Sequence, residues 1–148
     1  MDPVIDLKPL VIDTHAVLWW VLDSPRLSEV AASRMREAID AGQPLHVSAY
    51  SLLELRYAAE KPATRKGHIS PELHDAIVAE ITSDESVFTV ADMSAAIIAH
   101  LGTGALARDT GPNDPGDRVI LATAIELGAD IVTADKLLQR EDHITFVW

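Results

Sequence analysis

The sequence contains no cysteine, so it offers neither a disulfide framework nor a thiolate metal site. It also lacks any apolar run long enough to cross a bilayer. Residues 1–10 carry acids and prolines where a secretion signal would have an uninterrupted apolar segment. We therefore expect a soluble, cytoplasmic protein without a membrane partner.

Basic residues are scarce: 12 Lys and Arg stand against 23 Asp and Glu, which gives a formal net charge of −11. Taken alone, this balance argues against a nucleic-acid binder, because phosphate contacts need local positive charge. Three interpretations stay open. The acids can favour solubility, they can cluster around divalent cations, or they can face a basic partner protein.

Several common site patterns are also absent. The six histidines do not occur at the spacing of a zinc motif. Residues 102–104, Gly-Thr-Gly, lack the Lys-Ser or Lys-Thr pair of a phosphate-binding loop. Residues 109–113 miss the glycine and glutamate of a calcium loop, and no local Ser-His-Asp motif indicates a nucleophilic hydrolase. Zinc, nucleotide, calcium and acyl-transfer sites therefore have little support.

The length of 148 residues fits one domain, taken here as residues 1–148. Strands and helices alternate along the chain, which predicts an α/β fold with a mostly parallel sheet covered by helices on both faces. The five strands are predicted at residues 9–13, 45–48, 86–90, 129–135 and 143–148. The helices are predicted at residues 14–22, 27–39, 48–60, 71–82, 93–101, 117–127 and 135–141.

Two predicted strands end in the same way, each running from apolar residues into an aspartate just before a helix. These aspartates are Asp13, in Val-Ile-Asp, and Asp135, in Ile-Val-Thr-Ala-Asp. Ligands of open parallel sheets bind outside the carboxyl ends of the strands. We therefore expect Asp13 and Asp135 to lie at one edge of the sheet, where a ligand would bind.

Two further acids lie near helix beginnings that face the same edge. Asp117 precedes Ile120, Leu121 and Ala124 by three, four and seven residues, which places it on the buried face of its helix. Glu54 lies inside an apolar stretch shortly after the second strand, where an unpaired acid would be costly to bury. Both positions predict acids directed toward a shared site.

Each acid also has a purely structural interpretation. The two strand-end aspartates can cap the helices that follow them. Glu54 can complete a capping box with Ser51, and Asp117 can be the third residue of a helix that Asp114 caps. The expected location of all four acids at one edge favours a shared site over four unrelated caps.

A bound divalent cation would explain why four acids are expected at one place. Four carboxylates at one place repel one another and raise one another's pKa values, whereas a bound cation keeps them ionised. Magnesium prefers such oxygen ligands. The predicted cluster suits metal-assisted hydrolysis of phosphodiester bonds.

Four motifs occur in order along almost the whole chain, from about residue 11 to residue 148. They are Asp-Thr-His at 13–15 followed by Leu-Trp-Trp, VSAYSLLEL at 47–55, DPGDR at 114–118 leading into VILATA, and VTAD at 132–135, with a terminal ITFVW. In these motifs the chain resembles the PIN domain, and most closely the VapC toxins of VapBC toxin–antitoxin systems.

The resemblance implies a PIN-like three-layer sandwich with a five-stranded sheet flanked by helices. It implies that Mg²⁺ or Mn²⁺ is held by a catalytic quartet of acids: Asp13, Glu54, Asp117 and Asp135. Asp114 would be a nearby auxiliary acid, and the hydroxyl of Thr133 would contact the metal ligands without contacting the metal itself. The activity implied is an endoribonuclease that hydrolyses RNA phosphodiester bonds, as the toxin of a type II toxin–antitoxin system. The implied partners are the RNA substrate, a second copy of the chain in a homodimer, and a VapB-like antitoxin with a peptide in the active-site groove.

Two other functions remain open at this stage: a PIN-like scaffold that binds RNA or protein without cutting, and a metal-dependent phosphohydrolase acting on small phosphate esters. The most basic stretch contains Lys61, Arg65 and Lys66, which either contact RNA phosphates or form a solvated loop. His15 either contacts substrate or has a structural role.

Overall fold

The computed structural model describes residues 7–106, 112–136, 138–140 and 144–148. The strands are β1 (Leu10–Ile12), β2 (Leu45–Ser48), β3 (Phe88–Ala91), β4 (Asp130–Val132) and β5 (Phe146–Val147). The helices are α1 (Thr14–Val21), α2 (Glu29–Asp40), α3 (Ala49–Glu60), α4 (Pro71–Thr82), α5 (Ala95–Ile98) and α6 (Pro115–Leu127). Two 3₁₀ turns cover Gly104–Leu106 and Leu138–Arg140.

The five strands form one sheet in the order β3-β2-β1-β4-β5, and each neighbouring pair is parallel. β1 is the central strand, with Leu10 opposite Leu45 of β2 and Ile12 opposite Val132 of β4. Parallel strands must be joined by crossovers, and the helices that make those crossovers cover the two faces of the sheet. The predicted five-stranded α/β sheet is confirmed.

The side chains of β1 alternate between two hydrophobic cores. Leu10 and Ile12 face one core, where they meet α1, α2, α3 and α4. Val11 faces the other core, which is built mainly by α6 and Ile97 of α5. This alternation follows from the two-residue period of a strand, and it produces the predicted three layers with helices on both faces.

The chain changes direction across the sheet at β1. It first runs outward through β2 and β3, and it then crosses to the opposite side of β1 to form β4 and β5. Such a reversal opens a crevice at the carboxyl ends of the two strands on either side of it, here β1 and β4. This crevice is where the fold itself favours a ligand.

The main differences from the predicted elements lie in the second half of the chain. α5 covers only Ala95–Ile98 of the predicted 93–101, because the amides of His100 and Leu101 bond to carbonyls three residues back and tighten the chain into turns. α6 begins two residues earlier than predicted, with Asp114 as its cap and Pro115 in its first turn. Within the predicted helix 135–141, the structure has a 3₁₀ turn, and residues 137 and 141 lie outside the described residues.

The final strand covers Phe146–Val147 of the predicted 143–148, and residue 143 lies outside the described residues.

Among the helices that the structure describes, none combines the length and apolar character needed to cross a membrane.

Candidate metal centre

Asp13 lies directly after β1, at the carboxyl end of the central strand. Its amide donates to the Val132 carbonyl at 3.0 Å, so the sheet register fixes its backbone. Its side chain caps α1, with Oδ1 accepting the Thr14 amide at 2.8 Å. The residue is only 7% exposed, and a buried carboxylate needs such donors to offset its lost hydration.

The end of β4 is joined to the end of β1 by the side chain of Thr133. The buried Thr133 hydroxyl donates to Oδ2 of Asp13 at 2.6 Å and accepts the Asp135 amide at 3.0 Å. Because this hydroxyl has one proton, the two bonds fix its orientation. Oδ1 of Asp135 lies 3.4 Å from the amide of Leu138, at the start of the 3₁₀ turn. Asp13 therefore caps α1, as one interpretation predicted, and both aspartates follow neighbouring parallel strands at one edge of the sheet, as the other predicted.

Glu54 reaches the same region from α3. The Thr14 hydroxyl lies 2.9 Å from Oε1 of Glu54 and 2.8 Å from Oγ of Ser51. The capping-box interpretation of Glu54 is wrong, because the cap of α3 is Ser48 and Ser51 is already buried inside the helix. The carboxylate of Glu54 instead contacts the residue next to Asp13.

The beginning of α6 approaches α3 closely at Gly116. A Cβ atom added there would lie 2.9 Å from Cε1 of Tyr50, 3.1 Å from Oδ1 of Asp114 and 3.4 Å from Oε1 of Glu54. Asp114 caps α6 by accepting the Asp117 amide at 3.0 Å, so Asp117 is the third residue of the helix. The absence of a side chain at Gly116 thus allows the acids of α3 and α6 to share one space.

Burial and neighbouring acids together raise the pKa values of Asp117 and Glu54. Burial raises the pKa of Asp117 from 3.8 to about 7, and further contributions come from four acids: Asp114, Asp135, Asp13 and Glu54. Burial is also the largest cause that raises the pKa of Glu54, and Asp13 and Asp114 add to it, while the Thr14 hydrogen bond lowers it. Glu54 is exposed as a residue, but its carboxyl end is shielded by these neighbours.

The donor atoms of this cluster are carboxylate and hydroxyl oxygens, which suit Mg²⁺ or Mn²⁺ better than softer metals. In the described part of the chain, no group of three or more His, Asp or Glu side chains could hold a metal ion in the orientations that the side chains have here. A cation would relieve the repulsion by neighbouring acids, which adds to burial in raising the pKa of Asp117. We infer that the chemistry of the site fits such an ion and that binding requires rotation of acid side chains.

Sequence analysis missed three residues that shape this site: Thr14, Tyr50 and Gly116. Thr14 adjoins Asp13 in sequence, and Gly116 adjoins Asp117, so proximity to a candidate acid was the available signal. The Tyr50 contact depends on how α3 packs against α6, and no local pattern predicts it.

The side chains of Lys61, Arg65 and Lys66 lie in an exposed loop, and their contact with RNA stays a prediction.

Comparison with known proteins identifies the family. A model of the PIN domain matches residues 10–143, a span that contains all the acids described above. The chain therefore belongs to the PIN domain family, and the predicted resemblance is confirmed. Ribonuclease VapC22 of Mycobacterium tuberculosis (strain ATCC 25618 / H37Rv) is 28% identical over 137 residues, which cover 93% of this chain and 95% of that protein.

Solved structures share the fold. A chain in the DNA-bound VapBC structure from Salmonella typhimurium matches with a TM-score of 0.67 and 24% identity, over 95% of this chain and 97% of that one. A chain in VapBC2 from Rickettsia felis, bound to a promoter DNA fragment, matches with a TM-score of 0.66 and 16% identity, over 94% and 97%. At these identities the likeness concerns the fold alone.

Proposed function

We propose that this protein is an endoribonuclease that hydrolyses RNA phosphodiester bonds with the help of Mg²⁺ or Mn²⁺. We assign the catalytic, metal-binding quartet to Asp13, Glu54, Asp117 and Asp135, within one nuclease domain of residues 1–148. The observation that carries the proposal is that Asp117 lies close enough to four other acids to interact with them electrostatically, at the crevice where the fold favours a ligand.

The residues of the chain have separable tasks in this proposal. Thr133 and the Thr14 amide hold the carboxylate of Asp13 in one orientation, and the Thr14 hydroxyl holds that of Glu54. With its pKa raised to about 7, mainly by burial, Asp117 carries a proton in about half of the molecules near neutral pH, and a bound cation would favour the ionised form. A bound divalent cation would neutralise phosphate charge and lower the pKa of water. Asp114 adds negative charge and fixes the first turn of α6.

The names of the relatives support a biological setting. The curated relative is a ribonuclease called VapC22, and the solved neighbours are VapBC complexes. We propose that this chain is likewise the toxin of a type II toxin–antitoxin pair, a homodimer inhibited by a VapB-like antitoxin in the cytoplasm. The net charge of −11 is complementary to a basic antitoxin segment.

Cleavage of a mixed RNA panel by purified protein, with Mg²⁺ or with EDTA, tests the proposal directly. We expect cutting with Mg²⁺, none with EDTA and none by Asp117→Asn. Asp130→Asn is the matched control, because Asp130 lies at the opposite end of β4 from Asp135. No cutting by folded, antitoxin-free protein would reject the nuclease, and hydrolysis of small phosphate esters instead would favour the alternative phosphohydrolase.

A further inference from the structure

His15 connects the two strand-end parts of the candidate metal centre. Its Nε2 atom accepts the amide of Ala134 at 3.0 Å, in the turn between β4 and Asp135. Its Nδ1 atom lies 3.4 Å from Oδ2 of Asp13. An imidazole nitrogen that accepts a backbone N–H carries no proton, so the ring proton is on Nδ1 and faces the Asp13 carboxylate.

Together with Thr133, His15 closes a ring of contacts around the end of the sheet. Oδ2 of Asp13 receives the Thr133 hydroxyl at 2.6 Å and faces Nδ1 of His15. The turn that follows β4 is held twice, through the Ala134 amide bonded to His15 and the Asp135 amide bonded to Thr133. A shift of the imidazole would therefore move Asp13 and the turn carrying Asp135 together.

Two tryptophans restrict the orientation of the imidazole. The ring centroid of Trp19 lies 4.9 Å from that of His15, with a tilt of 50°. Trp148, just beyond β5, lies 6.0 Å away in an edge-on arrangement, and the two indoles are 5.6 Å apart. Arg26 lies over Trp19, 5.7 Å from its ring centroid. These contacts are aromatic packing distances, and they hold the imidazole so that its two nitrogens keep their partners.

We propose that His15 is a positioning residue, which sets the spacing between Asp13 and Asp135 for cation binding, with Trp19 and Trp148 fixing its ring. This inference rests on the proposed function of the site. Both ring nitrogens already face partners within the protein, so the imidazole acts through the two aspartates and not on RNA. Residues behind metal ligands commonly change metal affinity or activity by about tenfold to a hundredfold.

Four substitutions separate the contacts that His15 makes. His15→Phe keeps a ring against the tryptophans and removes both polar contacts. His15→Gln can still accept the Ala134 amide, whereas His15→Asn can still donate toward Asp13. We expect His15→Phe and His15→Ala to weaken Mn²⁺ binding, measured by calorimetry without RNA, by about tenfold or more. We expect His15→Gln and His15→Asn each to restore part of that loss.

His100 provides the matched control. Its side chain is 31% exposed, as is that of His15, and it pairs with Glu126 away from the candidate metal centre. His100→Phe should leave Mn²⁺ binding unchanged, and in the cleavage assay only His15→Phe should lower kcat with little change in KM. Equal effects of the two Phe variants on Mn²⁺ binding would overturn the proposal.

A spectroscopic measurement tests the same inference without the enzyme reaction. In ¹⁵N-labelled, metal-free protein, we expect His15 to have unprotonated Nε2 and protonated Nδ1. The opposite tautomer would contradict the geometry and overturn the positioning role. If the wild-type protein binds Mn²⁺ and His15→Phe weakens that binding, but the wild type cuts no RNA, the proposed function fails while the role of His15 in cation binding stands.

Discussion

The candidate metal centre has two halves that are built differently. In the strand half, Asp13 and Asp135 follow adjacent parallel strands and are joined by hydrogen bonds through Thr133. In the helix half, Glu54 and Asp117 project from α3 and α6, and burial and neighbouring acids raise the pKa values of both. In the strand half, hydrogen-bond donors fix the carboxylate of Asp13. In the helix half, the fold keeps the carboxylates close to other acids although they repel one another.

This difference indicates how stability and function divide between the halves. Hydrogen bonds to the buried Asp13 carboxylate stabilise the fold whether or not a cation is present. The acids of the helix half destabilise the metal-free protein, because they remain close together while poorly solvated. We infer that the carboxylates of the strand half keep the same position with or without a cation, and that relief of repulsion in the helix half supplies affinity for a cation.

The largest expected effects come from neutralising one acid in each half. We expect Asp13→Asn and Glu54→Gln each to lower cleavage by about a hundredfold or more. The loss of a direct metal ligand should have a larger effect than the loss of a residue that only positions a ligand. Of the two variants, only Asp13→Asn should lower the stability of the metal-free protein. The Thr14 amide and the Thr133 hydroxyl donate to different oxygens of Asp13, and Asn replaces one of these oxygens with an NH₂ group, so unfolding should become easier by about 1–3 kcal/mol.

Glu54→Gln removes a repelled charge, so metal-free stability should stay constant or rise. Urea denaturation in EDTA measures both variants, and the cleavage assay measures their activity. If Asp13→Asn were as stable as the wild type and Glu54→Gln less stable, the division into a fixed half and a repelled half would be wrong.

A smaller loss of activity is expected from crowding the junction of α3 and α6. In Gly116→Ala, the new methyl group would meet the Tyr50 ring at 2.9 Å and press toward Glu54. We expect cleavage to fall about tenfold, by analogy with other supporting residues. Helix propensity favours Ala over Gly by about 1 kcal/mol, which offsets part of the strain, so the free energy of unfolding should change little.

Tyr50→Ala combined with Gly116→Ala tests the cause of that loss. Removing the ring should restore part of the activity relative to the two single variants, as a double-mutant cycle would show. Unchanged activity of Gly116→Ala alone would mean that α3 and α6 separate without affecting the acids.

The pH dependence of metal-free stability tests the helix half without catalysis. The pKa of Asp117 is about 7 in the folded protein and 3.8 ordinarily. Between these values the folded state binds more protons than the unfolded state, so this group makes stability fall as pH rises from about 4 to about 7. Asp117→Asn lacks this contribution. In EDTA its Tm should therefore exceed that of the wild type more at pH 8 than at pH 4, and a constant difference would contradict the raised pKa.

The smallest effect is expected from the exposed loop between α3 and α4. Changing Lys61, Arg65 and Lys66 together to Gln removes three exposed positive charges. For a solvated loop, KM for RNA should change by no more than about twofold, and its dependence on salt should stay the same. A flatter salt dependence would show instead that the loop contacts phosphates.

The strand half of the site could be predicted from sequence because its geometry is local. An apolar run that ends in an aspartate predicts the edge of the sheet for both Asp13 and Asp135, and it also predicts the helix cap at Asp13. The bounds of β2 and α4 were equally predictable, since strong caps at Ser48 and Ser70 limit the helices that they begin.

The helix half was predictable only in part. Spacing placed Asp117 on the inner face of its helix, but the contact of Thr14 with Glu54 joins residues 40 positions apart. The packing of Tyr50 against Gly116 likewise depends on the tertiary arrangement of α3 and α6. The short α5 was overpredicted, because its small apolar residues fit helical periodicity although the chain turns after Ile98.

Binding of Mn²⁺ to the purified, metal-free protein, measured by calorimetry, tests the central claim most directly. If the two halves form one metal centre, Asp13→Asn, Glu54→Gln, Asp117→Asn and Asp135→Asn should each weaken binding by about tenfold or more, and the Asp130→Asn control should not. Mn²⁺ binding that survives in all four variants, or that is absent from the folded wild-type protein, would contradict the account.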